Sequence, residues 1–211
     1  MSGELTLYGA KGSGSVAVEA ALSLLGIPFR LVEAAPWGDA DEQARLAAVS
    51  PLGQVPVLDL PSGERMTESA AILIWLADAH PQAGLSPAAD APERAAFLRW
   101  MVFIPAAIYP MHTIRDHPGR WVDGEEPQKR LDERAVERLR ACWRIMEGEV
   151  APAPHLAGAR LTVLDLYAAV VSRWAPRREF IEAECPKIAR AVKRVDDDPR
   201  LERLWAERFG A

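Results

Sequence analysis

The stretch SPLGQVPVLDLPSGERMTESAAILIWLADAHP, residues 50–81, carries the patterns that decide the fold. Its apolar run at residues 55–60 predicts a strand. We expect Pro56 at the start of that strand or on a sheet edge, because proline cannot donate to a ladder. A Ser-Gly turn and a second short strand follow. Residues 68–80 then predict a helix that ends before Pro81.

The residues before this stretch predict a compact βαβ unit. Apolar runs at residues 5–8 and 29–32 predict two strands, and residues 15–25 between them have helical periodicity and end at a glycine. A short helix is expected at residues 41–49. The predicted order of elements in the first 81 residues is therefore βαβ, α, ββ, α.

The chain changes character after residue 81. Residues 82–92 are rich in alanine and proline and have no apolar periodicity, which predicts a linker. Every later pattern is helical, and the predicted helices span residues 93–104 with a bent continuation near Pro105 and Pro110, then 128–150, 162–174, 184–195 and 200–209. The sequence predicts an α/β domain, residues 1–81, followed by an all-helical bundle, residues 93–211.

Composition excludes several classes of protein. A net charge of -5 over 211 residues leaves no cationic surface for nucleic acid. No stretch approaches the roughly 18 apolar residues that a membrane span needs, and the start shows no signal-peptide pattern, so we expect a cytoplasmic protein without a membrane partner. Cys142 and Cys185 lack the spacing of metal ligands or a redox pair. They are interpreted as packing residues, and no metal is expected.

The order of elements and several motifs resemble the glutathione transferase family, over nearly the whole chain. Gln54-Val55-Pro56 matches the V-P element of the family, in which the proline is cis and the preceding residue offers its backbone to the cysteinyl part of glutathione. An ordinary trans proline that opens an edge strand is the alternative. The resemblance implies a thioredoxin-like first domain that binds glutathione as co-substrate, and a helical second domain.

Two further motifs carry the resemblance. Glu68-Ser69-Ala70-Ala71-Ile72 matches the family's E-S-x-A-I turn. Ser69 would bind the γ-glutamyl carboxylate at a helix N-terminus and Glu68 would accept from the ligand's ammonium group, although an ordinary N-cap serine has the same pattern. Thr162-Val163-Leu164-Asp165 matches the family's capping box in the second domain. This second motif is structural and we assign it no chemistry.

The loop GAKGSGSV, residues 9–16, matches the family's thiol-activating segment. Its candidate donors to the glutathione sulfur are Ser13 and Ser15, and Ser13 is preferred. A free thiol has a pKa of about 8.5, and lowering it by two units requires about 2.7 kcal/mol. A hydrogen bond to a charged group contributes roughly 1.5 to 3 kcal/mol, so one serine hydroxyl is sufficient. The serine would act as a hydrogen-bond donor and not as a nucleophile.

The resemblance also implies looser contacts. Trp37 and Gln54 fall where the family often contacts the glycyl or cysteinyl portions of glutathione. The pocket for a small hydrophobic electrophile is expected on the first helices of the second domain, at Trp100, Phe103, Ile104, Tyr109 and His112. Aromatic residues at helical spacing are also typical of a core, and four further residues are interpreted only as packing residues: Trp121, Trp143, Trp174 and Trp205. A homodimer is expected by resemblance.

Two other functions remain open from the residues. Gly12-Ser13-Gly14-Ser15-Val16-Ala17, with Glu33 about 20 residues further on, has the form of a dinucleotide-binding fingerprint, which predicts an NAD-binding oxidoreductase. The helical second half argues against this fold. A transferase-like module that binds glutathione without catalysis is the other alternative.

Overall fold

A computed structural model describes residues 4–210; the outermost positions of the two predicted domains, residues 1–3 and 211, lie outside the described residues. One four-stranded sheet has the order β2-β1-β3-β4. Its strands are β1 (Leu5–Gly9), β2 (Phe29–Glu33), β3 (Val57–Asp59) and β4 (Arg65–Met66). Strand β1 runs parallel to β2 and antiparallel to β3, and β4 runs antiparallel to β3.

Ten α-helices surround and follow the sheet in the described chain. They are α1 (Ser15–Leu25), α2 (Ala40–Val49), α3 (Ser69–Ala79), α4 (Arg94–Phe103), α5 (Tyr109–Asp116), α6 (Glu125–Glu149), α7 (Val163–Val171), α8 (Arg178–Glu184), α9 (Pro186–Asp196) and α10 (Glu202–Phe209). A π-helical turn, Ile104–Ile108, joins α4 to α5. The fold is thus a mixed sheet with helices, thioredoxin-like in its first part and helical in its second.

Most predicted elements agree with the structure, and two differ. The sequence missed α8, because seven residues are too few to establish a helical period. Helix α6 begins at Glu125, three residues before the predicted start, since a proline in the first helical turn is tolerated there. Residues 84–92 contain neither helix nor strand, and the division of the chain at residues 82–92 stays a prediction.

The strand register brings three segments to one edge of the sheet. Val57 at the start of β3 lies opposite Tyr8 near the end of β1, and Met66 at the end of β4 lies opposite Leu58. The residues after β1, before β3 and after β4 therefore meet at the same edge. Strand β3 runs antiparallel to both of its neighbours, β1 and β4. The sheet is therefore not the parallel sheet of a dinucleotide-binding fold, and the NAD interpretation is wrong.

Helix α1 lies at the centre of the molecule. It is buried from Ser15 to Leu22 and packs against α3 and α7. Apart from Ser15 and Glu19 its buried residues are apolar, as expected for a helix inside a core, and its alanines allow close approach of the neighbouring helices. One continuous core runs from β1 to Trp205 in α10. Trp121 is 58% exposed, so its interpretation as a packing residue is wrong.

Both cysteines lie in the core and carry free thiols. Burial is the largest of the causes that raise the pKa of each thiol, and the pKa of Cys185 is raised to about 11. Within residues 4–210, no helix is both long enough and apolar enough to cross a membrane.

Candidate active site

The loop between β1 and α1 is closed by its own serine hydroxyls. Ser13 Oγ donates to the carbonyl of Ala10 at 2.8 Å and lies 2.8 Å from Ser15 Oγ. Ser15 Oγ accepts from the Ala10 N–H at 3.0 Å. Both serines are buried, Ser13 to 6% exposure and Ser15 to 0%. A Cβ on Gly9 would lie 2.6 Å from Ser15 Oγ, so the loop requires glycine there.

These contacts change the interpretation of the two candidate catalytic residues. The Ser15 hydroxyl is bonded to the Ala10 N–H and to Ser13 and so joins the loop to the end of β1, and we correct its assignment to a structural one. Ser13 keeps slight exposure, but its hydroxyl already has partners within the loop. Sequence spacing could not reveal this, because two loop serines two positions apart predict hydroxyl groups and not the direction in which they point.

Two residues of the helical part bind the backbone of the same loop. The Trp174 Nε1–H donates to the carbonyl of Gly12 at 2.8 Å, and the Gly12 N–H donates to the carbonyl of Arg208 at 3.1 Å. Gly12 has a φ of +72°, a conformation that glycine adopts without steric cost. The sequence interpretation of Trp174 as a packing residue missed this bond, and no local signal pointed to it.

A group of three charges, two of them buried, lies close to the loop. The Arg208 guanidinium binds Glu19 at 2.5 Å and also pairs with Glu33, while the side chains of Arg208 and Glu19 are 5% and 2% exposed. Burial raises the pKa of Glu19, although the hydrogen bond from Arg208 opposes this. Glu33, the acidic residue of the dinucleotide fingerprint, therefore binds a cation of the last helix.

The segment before β3 has the expected geometry at its proline. The Val55–Pro56 peptide bond is cis, as the resemblance implies. Pro56 is buried, Val55 is half-buried and Gln54 is exposed. The Gln54 N–H donates to Ser50 Oγ at 3.0 Å, and the residue is exposed at the surface.

The start of α3 combines backbone strain with a buried serine. Glu68 is exposed and has a φ of +66°, which costs on the order of 1 to 3 kcal/mol in a residue other than glycine and is typical of functional sites. Ser69 follows it in the first turn of α3, and its Oγ lies 2.7 Å from Tyr167 Oη of α7. Burial is the main cause that raises the pKa of Tyr167, to about 12.

The expected pocket residues separate into two groups. Ile104 is completely buried and Trp100 is 3% exposed, so both belong to the core and we correct their assignment to the pocket. Phe103 is half-buried, and its ring packs edge-on against Trp100 with centroids 5.1 Å apart. Trp37, expected near the glycyl end of glutathione, is 65% exposed between β2 and α2.

The two other pocket candidates lie against Trp174 and the loop. The rings of Tyr109 and His112 both pack edge-on against Trp174, with centroids 5.2 Å and 5.1 Å away. A Cβ on Gly14 would overlap with Tyr109 Oη, so this hydroxyl lies directly over the start of α1. Burial, and next the charge of Arg115, lower the pKa of His112 to about 4.

Comparisons with known proteins agree with this geometry. Residues 15–79 match the family described as glutathione S-transferase, N-terminal domain. The chain is 29% identical over 201 residues to the uncharacterized GST-like protein YncG of Escherichia coli K12, covering 95% of this chain and 96% of YncG. It is 30% identical over 173 residues to glutathione S-transferase GST-4.5 of Xanthomonas campestris, covering 81% of this chain and 82% of the relative.

A solved structure extends the comparison to the fold. It is the crystal structure of a glutathione transferase homologue from Sulfitobacter with bound glutathione, and it superposes with a TM-score of 0.84 at 25% identity. The match covers 97% of this chain and 98% of the Sulfitobacter chain.

Proposed function

Because the chain belongs to the glutathione S-transferase family, we propose that it binds glutathione and joins its sulfur to a small hydrophobic electrophile. In this reaction the bound thiol gives up its proton to solvent, and the thiolate attacks an electrophilic carbon. A carbon–sulfur bond forms, and the leaving group departs with its electron pair. The protein's task is to bind the tripeptide in an extended form and to stabilise the thiolate.

The shared sheet edge is the single observation that carries the proposal. The register brings the loop after β1, Pro56 before β3 and Glu68 after β4 to one edge. From β1 to β4 this edge spans two strand spacings of about 4.8 Å each, which is close to the reach of about 10 Å of an extended tripeptide. A ligand of that length would lie with its thiol near the loop and its γ-glutamyl end near α3.

Named residues would contact each part of the ligand. The half-buried Val55 offers backbone groups to the cysteinyl part beside the cis Pro56. The first-turn N–H groups of α3, with Ser69, would hold the γ-glutamyl carboxylate, and the exposed Glu68 would accept from the ammonium group. Gln54 and the exposed Trp37 would complete the glycyl side. The Sulfitobacter homologue that holds glutathione in this fold supports the proposal.

The electrophile would bind beside the thiol, against the half-buried residues of α4 and α5. Phe103, Tyr109 and His112 remain candidates, since each keeps some exposed surface. Ser13 could donate to the sulfur only by giving up a bond within its loop, such as the one to Ala10. A cytosolic homodimer with a role in detoxification is part of the proposal on the resemblance to the family.

One observation favours a second candidate, a module that binds glutathione without catalysis. Both loop hydroxyls are already bonded inside the loop, as expected if they shape it without activating a thiol. The two candidates share the glutathione site and differ only in what happens to the sulfur.

Calorimetry with glutathione, followed by conjugation assays on a panel of electrophiles, tests both candidates. Heat of binding together with conjugation supports the transferase, and binding without turnover on any electrophile supports the module. Replacing Ser13 and Ser15 separately by alanine then measures the part that each hydroxyl plays. Absence of binding at millimolar glutathione would be incompatible with either function.

A further inference from the structure

Tyr109 carries a buried hydroxyl without a partner. Its Oη is fully buried and has no hydrogen bond of ordinary geometry within the described residues. The hydroxyls of Tyr167 and Ser69, which bond to each other, lie close to it. The large majority of buried side-chain polar atoms in folded proteins are bonded, so each exception asks for an explanation, such as a catalytic role. Tyr109 also follows the π-helical turn Ile104–Ile108, an irregularity that occurs often at functional sites.

The hydroxyl lies where a thiolate would be stabilised. Gly14 caps the N-terminus of α1, and Tyr109 Oη fills the space that a side chain at position 14 would need. The N-terminus of a helix favours negative charge, and the absence of a side chain on Gly14 gives access to it. The two loop serines beside Gly14 already have partners within the loop, whereas the Tyr109 hydroxyl has no hydrogen bond of ordinary geometry.

Two aromatic rings hold Tyr109 in this position. Its ring packs edge-on against Trp174 at 5.2 Å between centroids and lies tilted against Tyr167 at 5.8 Å. Trp174 is itself bonded to the Gly12 carbonyl, and Tyr167 to Ser69 of α3. Tyr109 is thus held between the loop and the start of α3, at both of which the proposed function places glutathione.

We propose that Tyr109, and not a loop serine, is the catalytic residue that donates a hydrogen bond to the glutathione sulfur. This inference rests on the proposed function and specifies how its thiol is activated. The thiol proton leaves to solvent when glutathione binds, and the phenol keeps its own proton and donates it in a hydrogen bond to the thiolate. When the carbon–sulfur bond forms, that hydrogen bond weakens with the loss of charge on sulfur.

The environment of the phenol suits a donor that must not ionise. Burial, and next the neighbouring Tyr167, raise the pKa of Tyr109 well above its ordinary value. The hydroxyl therefore stays protonated at neutral pH, at which the proposed thiolate forms. The loop serines have a different task, which is to fold the backbone of residues 10–15 so that Gly14 leaves room for the Tyr109 hydroxyl at the start of α1.

The test compares Tyr109→Phe with Thr113→Val, which removes a hydroxyl one turn further along α5. The pKa of the bound glutathione thiol is measured by ultraviolet thiolate absorbance, beside the pH profile of kcat/KM. We expect Tyr109→Phe to raise that pKa by one to two units and to lower kcat/KM at neutral pH by about 10- to 100-fold, which is the range of a hydrogen bond to a charged group. Thr113→Val should leave the thiol pKa at the wild-type value.

A second variant addresses the position of the hydroxyl. Gly14→Ala places a Cβ where Tyr109 Oη lies, so it should displace the hydroxyl without deleting it and raise the thiol pKa in the same direction. A wild-type thiol pKa in Tyr109→Phe, with a raised one in Ser13→Ala, would overturn the inference and leave the proposed function intact. If the wild-type protein binds no glutathione, the inference and the proposed function fail together.

Discussion

The indole Nε1–H of Trp174 donates to the backbone carbonyl of Gly12 at 2.8 Å and joins residues 162 positions apart in the chain. This bond connects the helical part directly to the loop that follows β1. Because Trp174 also supports the rings of Tyr109 and His112, one side chain positions two parts of the candidate site. Its contribution can be separated by substitution.

Replacing Trp174 by phenylalanine should loosen the loop while keeping an aromatic ring in place. The lost hydrogen bond is expected to cost about 1 kcal/mol in the free energy of unfolding and to weaken glutathione binding several-fold, since the loop is no longer held. Urea unfolding and calorimetry measure the two effects. Trp121→Phe is the matched control because Trp121 is exposed. Equal effects from the two variants would show that the Gly12 bond does not matter.

Removing the guanidinium from Arg208 should destabilise the protein strongly. Arg208→Met leaves Glu19 buried without its cation, and the loss of one partner from a buried pair costs about 3 to 5 kcal/mol in the free energy of unfolding. Adding Glu19→Gln should recover part of this loss, because the unpaired charge is then gone. Arg203→Met, which removes an exposed pair with Glu207, should cost at most about 1 kcal/mol in urea unfolding. A similar cost for both arginines would contradict the burial argument.

The stability that the capping box of α7 provides should depend on the Asp165 carboxylate more than on the Thr162 hydroxyl. Asp165 accepts from the N–H and the hydroxyl of Thr162 at 2.9 Å and 2.8 Å, and from the Leu156 N–H at 2.7 Å. Thr162→Ala removes one of these bonds and should cost about 0.5 to 2 kcal/mol. Asp165→Ala removes all three and should cost more. Chemical denaturation ranks the two variants, and the reverse ranking would show that the hydroxyl dominates.

His112 should make the stability depend on pH. Its pKa is lowered to about 4 in the folded protein, against about 6.5 in an unfolded chain. Between these two pH values the imidazole is therefore protonated in the unfolded state and neutral in the folded state. The free energy of unfolding should therefore fall as the pH is lowered from about 6.5 to about 4, by at most about 3 kcal/mol from this group. His112→Gln should remove that part of the slope in urea titrations at several pH values. An unchanged slope in the variant would place the titrating group elsewhere.

Much of the fold could be predicted because its signals are local. Helix α1 was expected at residues 15–25 and is observed there, since its apolar period and the glycine after it lie within a few turns. The match of Gln54-Val55-Pro56 to a known motif likewise indicated the cis peptide bond. Pro105 and Pro110 also predicted a bend in this region, but no sequence pattern predicted the π-helical turn itself.

The candidate site was only partly accessible from the sequence. The loop and the start of α3 were expected at the site from motifs, and the sheet register brings them to one edge. Ser15, Trp100 and Ile104 were expected to act chemically or to line a pocket and are buried instead. Residue type and spacing predict which elements come close, but burial depends on what packs against each side chain from distant parts of the chain.

By itself, the sequence determined the order of elements, the family resemblance and the segments that would meet a tripeptide, because periodicity, caps and short motifs involve neighbouring residues. Only the tertiary structure decided which hydroxyl is free. The contacts of Trp174, Arg208 and Tyr109 with the loop each cross about 100 residues or more. Such contacts form only when the helical part packs onto the sheet, and this packing brings the Tyr109 hydroxyl to the start of α1, whereas the serines are bonded within their own loop.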